Sequence, residues 1–362
     1  MGIATLNEGA ALRLHEAAFV FDGHNDLAPF LIEGESLDDR AGKGHLDLRR
    51  MRTGGLNGGI FAVWIDPRLP DPLDRALSGL RRLVAILDAH PDFHVVRTAD
   101  DLQEASRAGR IVAVPGIEGG YPIAAGRIDD VDRLFDAGMR CLTLSWMQPT
   151  EWVDAAGAEP VHGGLTEFGV RVLDRLARLG ALIDVSHCSD RATEDVLTRA
   201  RSLGVPVAAT HSGARSVADH PRNLPDDLLE AIAATDGIVG INFFSAYIDE
   251  EFGRGFRQIQ ARFAPAYSWN LAALGEACSR ELVPVPLDRI LEHVEHVQSV
   301  AGAAHVGLGS DFDGVVALPE GLRDVADLPR IAVELAARGF DEPALRAFLG
   351  SNWLRTLEAV LP

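Results

Sequence analysis

Residues 165–187 read LTEFGVRVLDRLARLGALIDVSH. Apolar Phe168, Val172, Leu173 and Leu176 recur at helical spacing behind a polar entry at Thr166 and Glu167, which predicts a helix over 166–179. Gly180 follows closely and reads as the C-terminal stop. A short apolar run then predicts a strand over 181–186, with His187 at its carboxyl end. The same unit of helix, stop, strand and chemically capable end residue recurs in both directions. Further strands are expected at 18–24, 58–65, 111–117, 139–145, 206–211, 237–243 and 305–310. The clearest further helices fall at 127–137, 190–203, 225–235, 287–301 and 325–338, with Gly138 and Gly204 as stops. Alternating strands and helices imply a parallel sheet. Eight strands suggest an α/β fold closed as a (β/α)8 TIM-type barrel, although an open doubly wound sheet also fits the alternation. One domain over 1–362 is expected, since no repeat, low-complexity tract or linker interrupts it. Two regions break the rhythm, 146–165 and 244–286, and loops of that length are usually functional lids or insertions.

The chain has 362 residues, 47% hydrophobic and 24% charged, which is ample for one large core. Its net charge of −19 argues against nucleic acid or an anionic membrane surface as partner. Three cysteines, Cys141, Cys188 and Cys278, with no Cys-x-x-Cys pair, give no disulfide framework and suit a reducing cytoplasm. The first residues lack the basic and apolar stretches of a signal peptide. No apolar run approaches 18 residues, so no membrane span is expected.

Residues that can hold a metal concentrate at the strand ends. His24 and Asp26 follow the first strand, and residues two apart on an extended strand point to one side. Glu118 follows the strand at 111–117, His187 ends that at 181–186 and His211 that at 206–211. Asp311 and Asp313 follow the strand at 305–310. In a (β/α)8 barrel these ends share one face, where the active site lies. Imidazole and carboxylate without thiolate suit Zn²⁺ in an open catalytic site, and Mn²⁺ or Fe²⁺ fit the same donors. His24, Asp26, His187 and His211 are too many ligands for one open zinc and suit two metals, with Glu118 bridging through its two oxygens. A pair about 3.5–4 Å apart would hold a bridging hydroxide and polarise a carbonyl, the equipment of metal-assisted hydrolysis.

The chain resembles the renal (membrane) dipeptidase family, zinc peptidases of family M19 on an amidohydrolase-like barrel. The motifs run from about residue 19 to the C-terminus. They include Asp22-Gly23-His24-Asn25-Asp26, Glu118-Gly119-Gly120, Leu142-Thr143-Leu144, Leu182-Ile183-Asp184 and Thr210-His211-Ser212. They continue through Arg222-Asn223-Leu224-Pro225-Asp226-Asp227, Gly309-Ser310-Asp311-Phe312-Asp313-Gly314 and Asn352-Trp353-Leu354-Arg355. The resemblance implies two Zn²⁺ per chain, one on His24 and Asp26, the other on His187 and His211, bridged by Glu118. It implies that Asp311 moves the proton from the attacking hydroxide to the leaving amine. Arg222 would hold the terminal carboxylate of a small dipeptide-like substrate, a role suited to a planar bidentate donor. Asn223 would assist or cap the following helix. Asp313 reads as a turn or supporting residue. A homodimer is a further expectation of the family.

The pattern departs at two places. Where the family has Leu-Thr-Leu-Thr-His, with a histidine that helps polarise the scissile carbonyl, this chain has Leu142-Thr143-Leu144-Ser145-Trp146. Indole offers one N–H donor and no titratable group. Losing one oxyanion donor costs about 2.7–4 kcal/mol in the transition state. The family's tyrosine after the second strand aligns with Ile65, beside Trp64. Trp64, Trp146 and Trp152 suggest a more apolar pocket. The leading expectation is therefore a binuclear zinc dipeptidase. The alternative is a same-fold hydrolase of another small amide, N-acyl amino acid, lactam or ester, and a non-catalytic relative would show broken metal ligands.

Other motifs are set aside. Glu292-His293-Val294-Glu295-His296 matches neither His-Glu-x-x-His nor His-x-x-Glu-His and is expected on a solvated helix face. His162 lies in the long 146–165 loop over the proposed site. Ala41-Gly42-Lys43-Gly44 lacks a P-loop ending, and no Gly-x-Ser-x-Gly elbow is present.

Overall fold

A computed structural model describes residues 6–263 and 271–362. Its strands are β1 (Val20–Asn25), β2 (Leu56–Trp64), β3 (Phe93–Val95), β4 (Ile111–Glu118), β5 (Cys141–Thr143), β6 (Leu182–Asp184), β7 (Val207–Ser212), β8 (Ile238–Ile241) and β9 (Val306–Leu308). Eight of them pair in parallel in the order β2-β1-β9-β8-β7-β6-β5-β4, and β2 pairs β4 to close the barrel. The open doubly wound alternative is thereby excluded. The ninth, β3, was not expected. It pairs the start of β4 at Ile111–Ala113, and β5 takes that strand further on, at Gly116–Glu118.

The barrel interior is built from one side of each strand. Phe21, Ile60, Val112, Val114, Cys141, Leu182, Ala208 and Ile238 form one buried cluster with Trp353 from the last helix, Asn352–Val360. The Trp353 indole donates to Leu308 O at 2.8 Å and its ring lies 5.9 Å from that of Phe21. A β-carbon on Gly23 or Gly307 would run into this indole, so the closing helix requires glycine at both strands. The alternate residues, among them Val20, Phe61, Val63, Ile65, Ile117, Leu142 and Ile183, pack outward against the helices. Along the interior, therefore, apolar residues fill the amino end of the barrel and polar ones its carboxyl end.

Several strands stop earlier than their apolar runs suggest. β6 ends at Asp184 and β9 at Leu308 because buried carboxylates replace the ladder. Ser186 N donates to Asp184 Oδ1 at 2.9 Å, and Ser310 N to Asp22 Oδ1 at 2.7 Å. The expected helices are found at Asp129–Asp136, Glu167–Leu179, Asp190–Leu203, Asp226–Ala233, Asp288–Ala301 and Leu328–Ala337. Gly180 and Gly204 end two of them with φ of 76° and 67°. The 146–165 connection has no helix. It is pinned by Asp154, whose carboxylate accepts from the backbone N–H of Val161, His162 and Gly164. The later connection carries the helices Ser245–Ile248, Glu250–Phe263 and Leu271–Glu281. The part of that connection at 264–270 lies outside the described residues. Cys141, Cys188 and Cys278 are buried and unbonded to one another. Among the described residues no helix is long and apolar enough to cross a membrane.

Candidate metal centre

Three imidazoles converge on one carboxylate oxygen at the carboxyl end of the barrel. Glu118 Oε1 lies 3.0 Å from His187 Nε2, 3.5 Å from His211 Nε2 and 3.9 Å from His24 Nε2. His24 Nε2 is also 3.6 Å from Asp26 Oδ2. Neighbouring ligands on a tetrahedral zinc, each about 2.0–2.1 Å from the ion, stand about 3.3–3.4 Å apart. Two groups of donors fit one ion each, His24 with Asp26 and Asp311, and Glu118 with His187 and His211.

The two strand histidines do not reach the centre by simple alternation. Phe21 and Gly23 face the barrel interior, as do Ala208 and Thr210, so His24 and His211 would point outward on regular strands. Register irregularities fall between Asp22 and Asn25 in β1 and between Ala209 and Ser212 in β7. Such bulges re-aim side chains beside active sites. The His24 and His211 rings consequently lie 3.8 Å apart, centroid to centroid. Asp26 lies beyond β1, at the residue preceding the helix Leu27–Glu33. It joins His24 through that turn rather than through strand alternation. His187 and Asp311 hold left-handed backbone at φ 71° and 61°, a cost of order 1–3 kcal/mol each that clusters at functional sites.

Bonding around the rings leaves nitrogens ready for a cation. Thr210 Oγ1 donates to Asp184 Oδ2 at 2.6 Å and so accepts from His211 Nδ1–H at 2.8 Å. His211 Nε2 then carries the lone pair, and it has no partner; His24 Nε2 is likewise buried without one. Orphaned buried polar atoms are rare, and Arg222 Nε and His187 Nδ1 are two more at the same centre. Asp184 is close to His24 and His211 too, but four hydrogen bonds, from Thr143, Ser186 and Thr210, occupy its oxygens. Through Thr210 it orients the His211 ring.

The electrostatics point the same way. Burial pushes Glu118 well above the usual carboxylate range, and the neighbouring Asp26 adds to this. Burial alone would lower His24, yet Asp26, Glu118 and Asp311 outweigh it and push the ring up to about 10. Burial, assisted by Arg222 and His24, drives His187 and His211 well below the usual value, so both stay neutral. Three carboxylates and three imidazoles crowd one dry pocket, and the ionised carboxylates outnumber the one imidazole that is raised, an imbalance that a bound cation would offset. The residues present therefore fit a metal cofactor.

Asp311 follows β9 and lines the same cavity. Asn242 Nδ2 donates to its Oδ2 at 2.9 Å, and burial with the adjacent Asp26 pushes it up to about 7. Asp313 is fastened to Arg40 by a buried ion pair and accepts from His45 N at 2.6 Å, so it holds the turn that presents Asp311. Arg222 borders the cavity from the connection after β7, with Nη2 donating to His211 O at 2.9 Å. Asn223 departs from the expectation: its amide donates to Ala218 O and Tyr247 O, it does not border the cavity, and Pro225 occupies the cap position of the next helix. It clamps the turn that carries Arg222.

The three tryptophans separate. Trp64 and Trp146 line the cavity edge to face, with ring centroids 5.0 Å apart. Trp152 is fully buried behind Gly120 and donates to Ile123 O at 2.9 Å, so it packs the rim instead. Ile65 faces the outer core, and Trp64 before it takes the inward position. The cavity measures about 750 Å³. His162 binds Thr150 O at 2.9 Å and serves the loop. His293 corrects the expectation of a solvated face: it is fully buried, and its Nδ1 accepts from Ala214 N at 2.9 Å. Asp22, Asp184, Thr210, Asn242 and Arg40 carry the support that motif reading did not assign. Their signal is a polar residue inside an otherwise apolar strand run, or a lone arginine in a buried turn.

Comparison with known proteins identifies the family. The family model described as membrane dipeptidase (peptidase family M19) matches residues 9–361. The dipeptidase verJ of Clonostachys rogersoniana is 29% identical over 99% of this chain and 89% of its own length. A solved dipeptidase AC, described as a metallopeptidase of family M19, is 31% identical, covers 95% of this chain and 99% of its own, and superposes with a TM-score of 0.79. A metallopeptidase from Rhodobacter sphaeroides, solved with a phosphinate mimic of L-Ala-D-Ala, is 29% identical with the same coverage and TM-score. The chain belongs to the membrane dipeptidase family, peptidase family M19, and is a metallohydrolase by that membership.

Proposed function

We propose that this chain is a binuclear zinc dipeptidase, cleaving small dipeptides by way of a hydroxide bridging the two ions. The observation that carries the proposal is the convergence of His24, His187 and His211 on Glu118 in a cavity that also holds Arg222 and Asp311. Two zinc ions, when bound, would polarise the scissile carbonyl and supply the nucleophile at neutral pH. Arg222 offers its guanidinium to the substrate's terminal carboxylate, held in place by His211 O and stacked 5.4 Å from the Tyr247 ring centre. Asp311 accepts the proton released at attack and returns it to the leaving amine. Asn242 keeps one of its oxygens oriented, and the pKa near 7 suits both directions of transfer. The phosphinate dipeptide mimic bound by the Rhodobacter sphaeroides relative supports a dipeptide as substrate. A homodimer is part of the same proposal.

The test is metal analysis beside turnover of L,L- and L,D-dipeptides. Asp311→Asn is expected to keep its metal and lose about 10²–10⁴ in kcat, the usual share of general acid–base catalysis. Unchanged kcat would refute the proton-transfer role. One observation favours a second reading: Trp146 stands where the family has a carbonyl-polarising histidine. If no dipeptide is hydrolysed while an N-acyl amino acid, lactam or ester is, the second reading replaces the first.

A further inference from the structure

Among the described residues that border the cavity, two carry a permanent positive charge, Arg222 and Arg257. Arg222 is the proposed clamp for the terminal carboxylate, and Arg257 has no part in that proposal. It lies on the helix Glu250–Phe263, in the connection after β8, and β8 pairs β7, whose connection carries Arg222. The two arginines therefore come from neighbouring units of the barrel. His220, which also borders the cavity, feels both charges. Its Nδ1 accepts from Arg222 N at 3.2 Å, and its ring lies 4.6 Å from that of Tyr247, centre to centre. Burial is the main cause that lowers His220 to about 3, and Arg222 and Arg257 add to it, so the ring is neutral.

Packing brings Arg257 beside this wall. Gly253, one turn earlier, borders the cavity, and a β-carbon there would stand 2.6 Å from Ala246 O. Glycine thus lets the helix lie close on Ser245–Ile248, which carries Tyr247. Arg257 Nη1 lies 3.8 Å from the same β-carbon position. Arg257 is exposed and forms no hydrogen bond or ion pair among the described residues, whereas Arg254 on the same helix pairs with Glu250 at 3.7 Å. Asp219 also borders the cavity and forms no ion pair with Arg257. Residues 1–5 and 264–270 contain no Asp or Glu that could neutralise it. An unpaired guanidinium near the one that takes a carboxylate suits a second carboxylate on the same substrate residue. We infer that Arg257 is a second anion contact of the cavity and favours dipeptides whose C-terminal residue is aspartate or glutamate. This rests on the dipeptidase reading above and adds the substrate class to it.

The experiment compares Ala-Asp with Ala-Asn and Ala-Glu with Ala-Gln, in L,L and L,D forms, on the zinc-loaded enzyme. Each amide matches its acid in size, so the ratio within a pair isolates the charge. The wild type is expected to favour the better acidic dipeptide over its amide by about fivefold in kcat/KM, the worth of a well-placed exposed ion pair. Arg257→Ala should bring that ratio to unity, and Arg257→Glu should take it below one. Arg254→Ala, which removes a neighbouring charge that does not border the cavity, should keep the wild-type ratio. A loss in Arg254→Ala as large as in Arg257→Ala would mean a general field of the helix and overturn the contact. Metal content and melting temperature of each variant separate a lost contact from a lost fold. If the Arg257 variants do not fold, the wild-type ratio decides. Equal turnover of acid and amide in both pairs makes Arg257 a solvated surface charge, overturns the inference and leaves the dipeptidase reading standing. No turnover of any dipeptide overturns both.

Discussion

Thr210 shows how a residue outside the cavity lining sets the chemistry of a candidate metal ligand. Its hydroxyl has a single proton, and Asp184 takes it at 2.6 Å. The oxygen can then only accept from His211 Nδ1, which fixes the tautomer and frees Nε2. Valine has nearly the same shape without the hydroxyl. Thr210→Val is therefore expected to weaken metal binding about 10–100-fold, the usual cost of losing such a partner. Thr210→Ser should restore most of it. Competition with a chromogenic chelator measures the change, and an unaltered metal affinity in Thr210→Val would remove Thr210 from this role. The reading of His211 as a ligand was open to inspection in the sequence. The aspartate that sets its tautomer was quoted there only as part of a motif, because the contact joins adjacent strands.

At the scale of elements, the barrel was legible because each strand is a short apolar run bounded by glycine or by a residue that can bind metal. The helix Pro72–Asp88 carries equally clear spacing, with Ala76, Leu77, Leu80, Leu83 and Leu87 buried, and it falls between two expected strands. The strand β3 was not legible: three residues pairing only the start of β4 leave no periodicity to detect. Nor were the bulges in β1 and β7, since an irregular register is a property of the pair and not of either strand. The turn after β9 illustrates the same limit. Asp311 and Asp313 both take left-handed backbone there. Gly314 ends the turn so close to the centre that a β-carbon would fall on Asp26 Oδ2 and Asp311 Oδ1. Gly314→Ala must therefore push both carboxylates aside. A displacement of about 1 Å costs on the order of 10²-fold in rate, so turnover should fall by that much while the circular dichroism spectrum is unchanged. Unchanged kcat in Gly314→Ala would show that the turn has room to yield.

For the whole molecule, acid sensitivity follows from where neutral histidines are buried. His293 joins three elements: the helix Asp288–Ala301 that carries it, the turn after β7 through Ala214 N, and the helix Ser245–Ile248 through Ile248 O at 3.3 Å. Nδ1 accepts, so the proton is on Nε2 and the ring is neutral. Burial is the main cause that lowers its pKa to about 4, from an unfolded value near 6.5. A group depressed on folding binds its proton more readily in the unfolded chain. The stability it allows is thus fully present above pH 6.5 and is lost as the pH falls through 6.5 toward 4. Two and a half pKa units correspond to about 3 kcal/mol at full titration, an upper figure for this one ring. His45, lowered to about 4, contributes in the same direction, whereas Asp22, raised to about 6 by burial, opposes it. The difference between wild type and His293→Gln isolates the ring. Gln accepts and donates hydrogen bonds but does not titrate, so the variant is expected to be less stable at pH 8 and to lose less on acidification. Urea unfolding of both proteins at pH 8, 6 and 4.5 reads this directly. Parallel losses in the two proteins across that window would show that His293 is not a source of the acid sensitivity.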